Sequence, residues 1–209
     1  MSAQGQIPPH IVDAARHVLA EDGLAAATLE RISEAAGVSR MTLHRRGVSK
    51  RGILIALAER LEAEYREAYW PALVSVASGR ERLIAALSGL CSVTERNLGL
   101  HEALSTQARH EIYHDQDTGS GALTRAAFVE PLERLLLDGA ADGSLAAQSD
   151  PAETATLLFN ATTHTYGHMR TGHAWKSERA RETLIRLLID GLAAAPPLPR
   201  AGDPARPAV

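Results

Sequence analysis

The chain has 209 residues, 45% of them apolar, 22% charged and only 4% aromatic, with a net charge of −3. That is enough chain for one or two domains with a real core, which must rest on Leu, Ile, Val and Ala. A single cysteine, Cys91, excludes an internal disulfide framework and a Cys-based zinc module. No stretch approaches the ~18 unbroken apolar residues of a membrane span. Met1 to His10 lacks the basic residue and apolar run of a secretory signal, so the expected compartment is the cytoplasm.

Strand signals are almost absent and helical periodicity runs nearly throughout. A first helix reads from Pro9 to Asp22, with Ile11, Ala14, Ala15, Val18 and Leu19 in one stripe and Gly23 as its left-handed stop. Thr28 caps a second helix that ends near Ala35. Gly37 supplies a turn, and Ser39 caps a short third helix over about Arg40–Arg46. A long fourth helix starts near Lys50, buries Leu54, Leu57, Leu61 and Tyr65, and is predicted to kink or end at Pro71. Further helices are predicted over about Gly79–Leu98, His101–His110 and Ala122–Leu137, the last bent by Pro131. Asp150-Pro151 opens another that reaches about Arg170, and Ser177 opens the last, to about Ala193. Both closing helices are apolar over more than one stripe (Leu157 and Ala161 beside Ala155 and Leu158; Ile185 and Ile189 beside Leu184 and Leu187). Such helices are buried on more than one side, and at the end of a chain that suggests a subunit interface. The tail from Pro196 holds five of the ten prolines and is expected to lack stable structure.

Charge is unevenly placed. Residues 1–51 carry seven basic against five acidic side chains, the remainder fifteen against twenty, and Ser39 to Arg51 holds five basic residues with no acid. Thr28 to Gly47 therefore reads as helix, glycine-centred turn and short cationic helix, the arrangement that sets a second helix into a DNA major groove. Arg40, Thr42, His44 and Arg45 can reach bases and phosphates, with Arg46 beside them, while Lys50 at the next helix N-terminus suits a phosphate.

Ile11-Val12-Asp13-Ala14-Ala15, Gly23, Thr28-Leu29, Ile32, Ala35-Ala36-Gly37-Val38-Ser39, Thr42-Leu43 and Ser49-Lys50 resemble the N-terminal domain of TetR-type transcriptional regulators. The resemblance is close over about residues 11–60; beyond them only the helical layout agrees, including Asp142-Gly143. It implies an all-α fold of about nine helices: a three-helix DNA-binding head plus a helical ligand-binding and dimerisation domain. The corresponding division is residues 1–8 as a disordered start, 9–48 as the head, 49–195 as the body and 196–209 as a disordered tail. It further implies a homodimer that binds double-stranded DNA at an operator and is released by a small-molecule effector, with no other cofactor. Phosphate contacts are expected from Thr28, Thr42, His44 and Lys50, and base contacts from Arg40, Met41 and Arg45, with Ser39 and Arg46 in the same DNA-binding set. Tyr69, Trp70, Leu87, Cys91, Tyr113, Phe128 and Phe159 are the candidates to line an effector pocket.

The sequence departs from the family pattern after Thr42. Leu43-His44-Arg45-Arg46-Gly47 stands where Leu-Tyr-x-His/Tyr-Phe is usual. A missing ring at Gly47 is expected to weaken the packing of the third helix on the fourth by about 3–5 kcal/mol if nothing refills the space. This motivates an alternative: a dimeric, all-α small-molecule-binding protein whose DNA-reading head is weakened or lost. The pairs His110/His114 and His164/His168 have the i,i+4 spacing of metal ligands but no evident third ligand, so no metal site is assigned. No phosphate loop, dinucleotide fingerprint or Gly-x-Ser-x-Gly elbow occurs, so an enzyme is not expected.

Overall fold

The computed structural model describes residues 7–103 and 127–193, and within them every regular element is helical. The head comprises α1 (Pro9–Ala26), α2 (Leu29–Ala35) and α3 (Arg40–Arg45). The regular path of α1 stops at Gly23, whose φ of 75° is one only glycine adopts without strain. Thr28 and Ser39 cap α2 and α3, accepting from the backbone N–H of Arg31 and Thr42.

The body starts with α4 (Lys50–Val74), α5 (Gly79–Arg96) and α6 (Leu98–Ala103). Pro71 neither ends nor interrupts α4, which runs one turn further. The physical reason comes from the next helix: the Arg82 guanidinium donates to the carbonyls of Ala72 (2.8 Å) and Leu73 (3.2 Å) while paired with Asp138 at 2.9 Å. Orphan carbonyls at the end of α4 are thereby satisfied. A capping box between Ser78 and Glu81 opens α5, whose Leu83, Ala86, Leu87, Leu90, Cys91 and Val93 are wholly buried. It packs on α4 and on the later helices, so α5 is the axis of the body.

Next comes α7 (Glu130–Ala141). Pro131 lies in its first turn, where a missing N–H costs nothing; residues 127 and 128 are helical too, so the helical path is interrupted at Val129, two residues before the proline. The remainder of the helices predicted over His101–His110 and Ala122–Leu137 lies mostly outside the described residues. Asp150 caps α8 (Pro151–Asn160), which passes through a π-helical turn, Ala161–Thr165, into α9 (Tyr166–Thr171). The single helix expected there is one continuous helical path that carries a π-turn in its middle. The last helix is α10 (Ser177–Gly191). No helix among the described residues is long and apolar enough to cross a membrane.

Two features fix the body. At one end α5 crosses α7 with almost no space: a Cβ on Gly79 would lie 2.3 Å from the Gly139 backbone. At the centre, Tyr65 of α4 meets Phe128 and Phe159 edge-on (5.4 and 5.6 Å), those two rings stack at 5.2 Å, and Tyr69 donates to the Phe128 carbonyl at 2.8 Å. His101 of α6 closes this group, its Nε2 2.5 Å from the Tyr65 hydroxyl. Burial, and then the neighbouring His164, push the His101 imidazole down to about 4, so it is neutral at pH 7.

Gly79→Ala is expected to cost about 3 kcal/mol of stability in urea unfolding, through forced separation of α5 and α7; a loss below about 0.5 kcal/mol would mean the crossing is loose. His101 gives a pH signature. Its pKa falls on folding, so the unfolded chain binds the extra proton, and its contribution is intact above pH 6.5 and lost as pH falls toward 4. Wild type is expected to lose about 2 kcal/mol more than His101→Gln between pH 7.5 and 5, measured as the difference in urea midpoints. Equal losses would contradict a buried neutral imidazole.

Candidate nucleic-acid interface

The turn between α2 and α3 is built from local chemistry. Gly37 has φ 65°, and its N–H and that of Val38 donate back to Glu34 and Ser33 carbonyls, closing α2. Of the small face expected from Ala35 and Ala36, Ala35 is exposed and Ala36 only half-buried. The helices are held instead by Ile32, Ser33 and Leu43, all buried.

Gly47 is a second correction. It has φ 66° and lies just past α3, where the Val48 N–H donates to the Leu43 carbonyl at 3.0 Å. A Cβ at Gly47 would meet nothing within 4 Å, so no hole underlies it. Val48, 7% exposed, is the residue that enters the core. The glycine ends the helix through its backbone, and the expected packing loss has no site in which to occur.

This framework turns one face outward. Arg40, Met41, His44, Arg45 and Arg46 of α3 and its cap are exposed, Met41 to 66%. Lys50 and Arg51 are exposed at the start of α4, where Ser49 caps the helix through the Gly52 N–H. Thr28 is exposed and Thr42 half-buried. Thr28 and Ser39 each spend an acceptor on a backbone N–H, and Ser39 and Thr42 share a hydrogen bond at 2.9 Å. A capping hydroxyl keeps its own proton, and that proton can be donated to a phosphate oxygen.

The acids of the head are largely turned to one another's cations elsewhere. Arg31 pairs with Asp22 (2.9 Å) and Glu34 (3.5 Å), the Asp22 hydrogen bond raising its pKa, and Arg60 pairs with Asp13. Among the described residues Arg40, Arg45, Arg46, Lys50 and Arg51 form no ion pair. What remains is an outward row of cations on a short capped helix, continued at the N-terminus of the next. Such a surface can take up phosphates and present guanidinium forks to base edges.

The effector-pocket candidates divide. Tyr69, Leu87, Cys91 and Phe128 are buried, and Phe159 packs partly buried against them. Tyr69, Phe128 and Phe159 gather around Tyr65, which the sequence placed in a buried row without marking it as central. Burial pushes the Cys91 thiol up to about 12, leaving it un-ionised and inert. Trp70 lies elsewhere: it is 64% exposed, so it faces solvent and not the interior. Tyr113, His110 and His114 lie outside the described residues. His164 and His168 are exposed, and His168 meets His173 edge-on at 5.0 Å. Sequence reading missed His101 as the polar member of the aromatic centre; only its place on the short α6 could have suggested it.

Residues 11–57 match the family described as bacterial regulatory proteins, tetR family. No curated protein matches the chain. Among solved structures, the ketosteroid transcriptional regulator KstR2 of Mycobacterium tuberculosis superposes with a TM-score of 0.71 at 16% identity, over 93% of this chain and 96% of that one. FadR of Bacillus subtilis, solved in complex with stearoyl-CoA, gives 0.68 at 19% identity, over 88% and 98%. A TetR/AcrR-family regulator of Thermobifida fusca gives 0.67 at 23% identity, over 87% and 95%. These likenesses show a common fold along nearly the whole chain, and the head carries the family's own pattern. Residues 11–57 thus match the tetR family of bacterial regulatory proteins, and the chain shares the helical fold of these solved regulators along nearly its whole length.

Proposed function

We propose that the chain is a homodimeric repressor that reads a DNA operator with α3 and is released by a small-molecule effector. The observation that carries this reading is the unneutralised cationic face of α3 and the start of α4, held out by capped, glycine-terminated helices. Thr28, Thr42, His44 and Lys50 take phosphates, with Ser39 fixing the helix start and Arg46 adding charge. Arg40, Met41 and Arg45 reach base edges, where an arginine fork suits guanine. The division of the chain into a head over 9–48 and a body over 49–195 follows from this assignment of roles.

Dimerisation is supported by the closing helices. Leu157 of α8 and Leu187 of α10 are 63% and 70% exposed, while Leu158, Ile185 and Ile189 are buried. One leucine on each of the two helices is therefore uncovered in the single chain, and an isologous contact would cover both. Two heads then meet successive major grooves. The effector reading is supported by the aromatic centre around Tyr65 and by the FadR neighbour in complex with stearoyl-CoA. The alternative of a lost head rests on Gly47 and His44, and the backbone role of Gly47 removes the first of these motives.

The test is fluorescence anisotropy with duplexes selected by this protein from a random pool. With about four phosphates neutralised per subunit, the affinity is expected to fall with salt at a log–log slope near −7. Arg45→Ala with Lys50→Ala is expected to weaken binding at least tenfold and flatten that slope. A salt-insensitive affinity, or a variant that binds as wild type does, would overturn the reading.

A further inference from the structure

Between α5 and α10 an open groove of about 330 Å³ shares no residue with the aromatic centre. Its apolar wall is aliphatic: Ile84 from α5, Ile185 and Ile189 from α10. Arg181 acts electrostatically on Cys91 and Glu95 in the second half of α5, so the two helices run antiparallel. Arg181 and Ser88 therefore share one end of the groove, and Arg80 and Asp190 the other.

Arg181 is the unusual member. Its Nε is buried and has no hydrogen-bond partner, a costly state for a guanidinium nitrogen. Neither Arg80 nor Arg186 forms an ion pair among the described residues. Two acids, Glu182 and Asp190, also line the groove, so three arginines leave one positive charge in excess. That balance suits a single negative charge and disfavours a polyanion. The aliphatic wall has no ring on which a planar ligand could stack. From Arg181 to Ile189 the groove follows about 12 Å of helix, room for an extended alkyl tail.

We propose that this groove is a binding site for a medium-chain monocarboxylate. The carboxylate accepts from Arg181, whose fork matches it, and from the Ser88 hydroxyl, while the tail lies on Ile84, Ile185 and Ile189. The Ser88 hydroxyl now donates to the Ile84 carbonyl at 2.8 Å and turns to the ligand when the groove is filled. This site is separate from the DNA-reading head, and DNA-binding results do not bear on it.

The probes are octanoate and octan-1-ol, titrated calorimetrically into the full chain. Saturable octanoate binding is expected, with octan-1-ol at least tenfold weaker. Arg181→Gln is expected to weaken octanoate at least tenfold. Ser88→Asp, which places a like charge at the carboxylate end, is expected to do the same; it decides the matter if Arg181→Gln lowers the melting temperature. Absence of saturable binding, equal affinity for the alcohol, or octanoate affinity unchanged in Ser88→Asp would overturn the proposal. So would sedimentation showing that Arg181→Gln dissociates a dimer with no change in octanoate binding, since the groove would then be covered by a second copy.

Discussion

One carboxylate ties the reading head to the body. Glu64, on α4, takes a salt bridge from Arg16 of α1 at 3.0 Å and a hydrogen bond from Asn97 at 2.8 Å, with Arg96 at 3.6 Å. Asn97 is buried in the joint between α5 and α6 and also donates to the Val93 carbonyl. Three elements from different parts of the chain therefore share one half-buried anion, and none can rotate without leaving a polar group unsatisfied. The apolar packing beside it, Tyr65 one residue on and Leu61 one turn back, is oriented by this knot. Arg60 of α4 pairs with Asp13 of α1 beside it, so charged contacts set a direction for the head on the body that hydrophobic contact alone does not fix.

The same economy of charge separates the two sides of the head. Acids are consumed on the inner and lateral surfaces: Asp13 by Arg60, Asp22 and Glu34 by Arg31, Glu64 by Arg16. The outer surface keeps its cations. A chain with net charge −3 can thus carry a local positive field, because the excess of acids lies in the body and the head neutralises its own where they would oppose a polyanion.

Features fixed by neighbouring residues were legible in the sequence. Gly23, Gly37 and Ser39 act within their own turns, and the Asp150-Pro151 start needs nothing beyond the first turn of α8, so each could be read from residue type and spacing. Features fixed by distant residues were not. Pro71 reads as a kink or an end because Arg82, which satisfies the carbonyls beyond it, belongs to the next helix and is itself held by Asp138. Gly47 was read as a missing side chain, although its backbone conformation explains it. The π-turn at Ala161–Thr165 has no sequence mark at all. In the candidate interface, exposed Arg40, Arg45 and Lys50 were legible because their helix phase was; the gathering of Tyr65, His101, Phe128 and Phe159 was not, since it joins four segments far apart in the chain.

The short helix α6 joins head and body through direct contacts on both sides. A Cβ on Gly99 would lie 2.5 Å from the Leu19 carbonyl oxygen, so the α6 backbone rests directly on α1. Two residues later His101 is bonded to Tyr65 in the aromatic centre. There is no side-chain layer between these contacts to absorb a shift, and close-packed interiors transmit displacement instead of damping it. Moving the His101 side of α6 must either break its bond to Tyr65 or push on α1, and α1 carries the head through Arg16 and the buried stripe of Ile11, Ala15 and Val18. The placement of one glycine and one neutral histidine on six residues sets the centre of the body and the first helix of the head in direct contact with one short element.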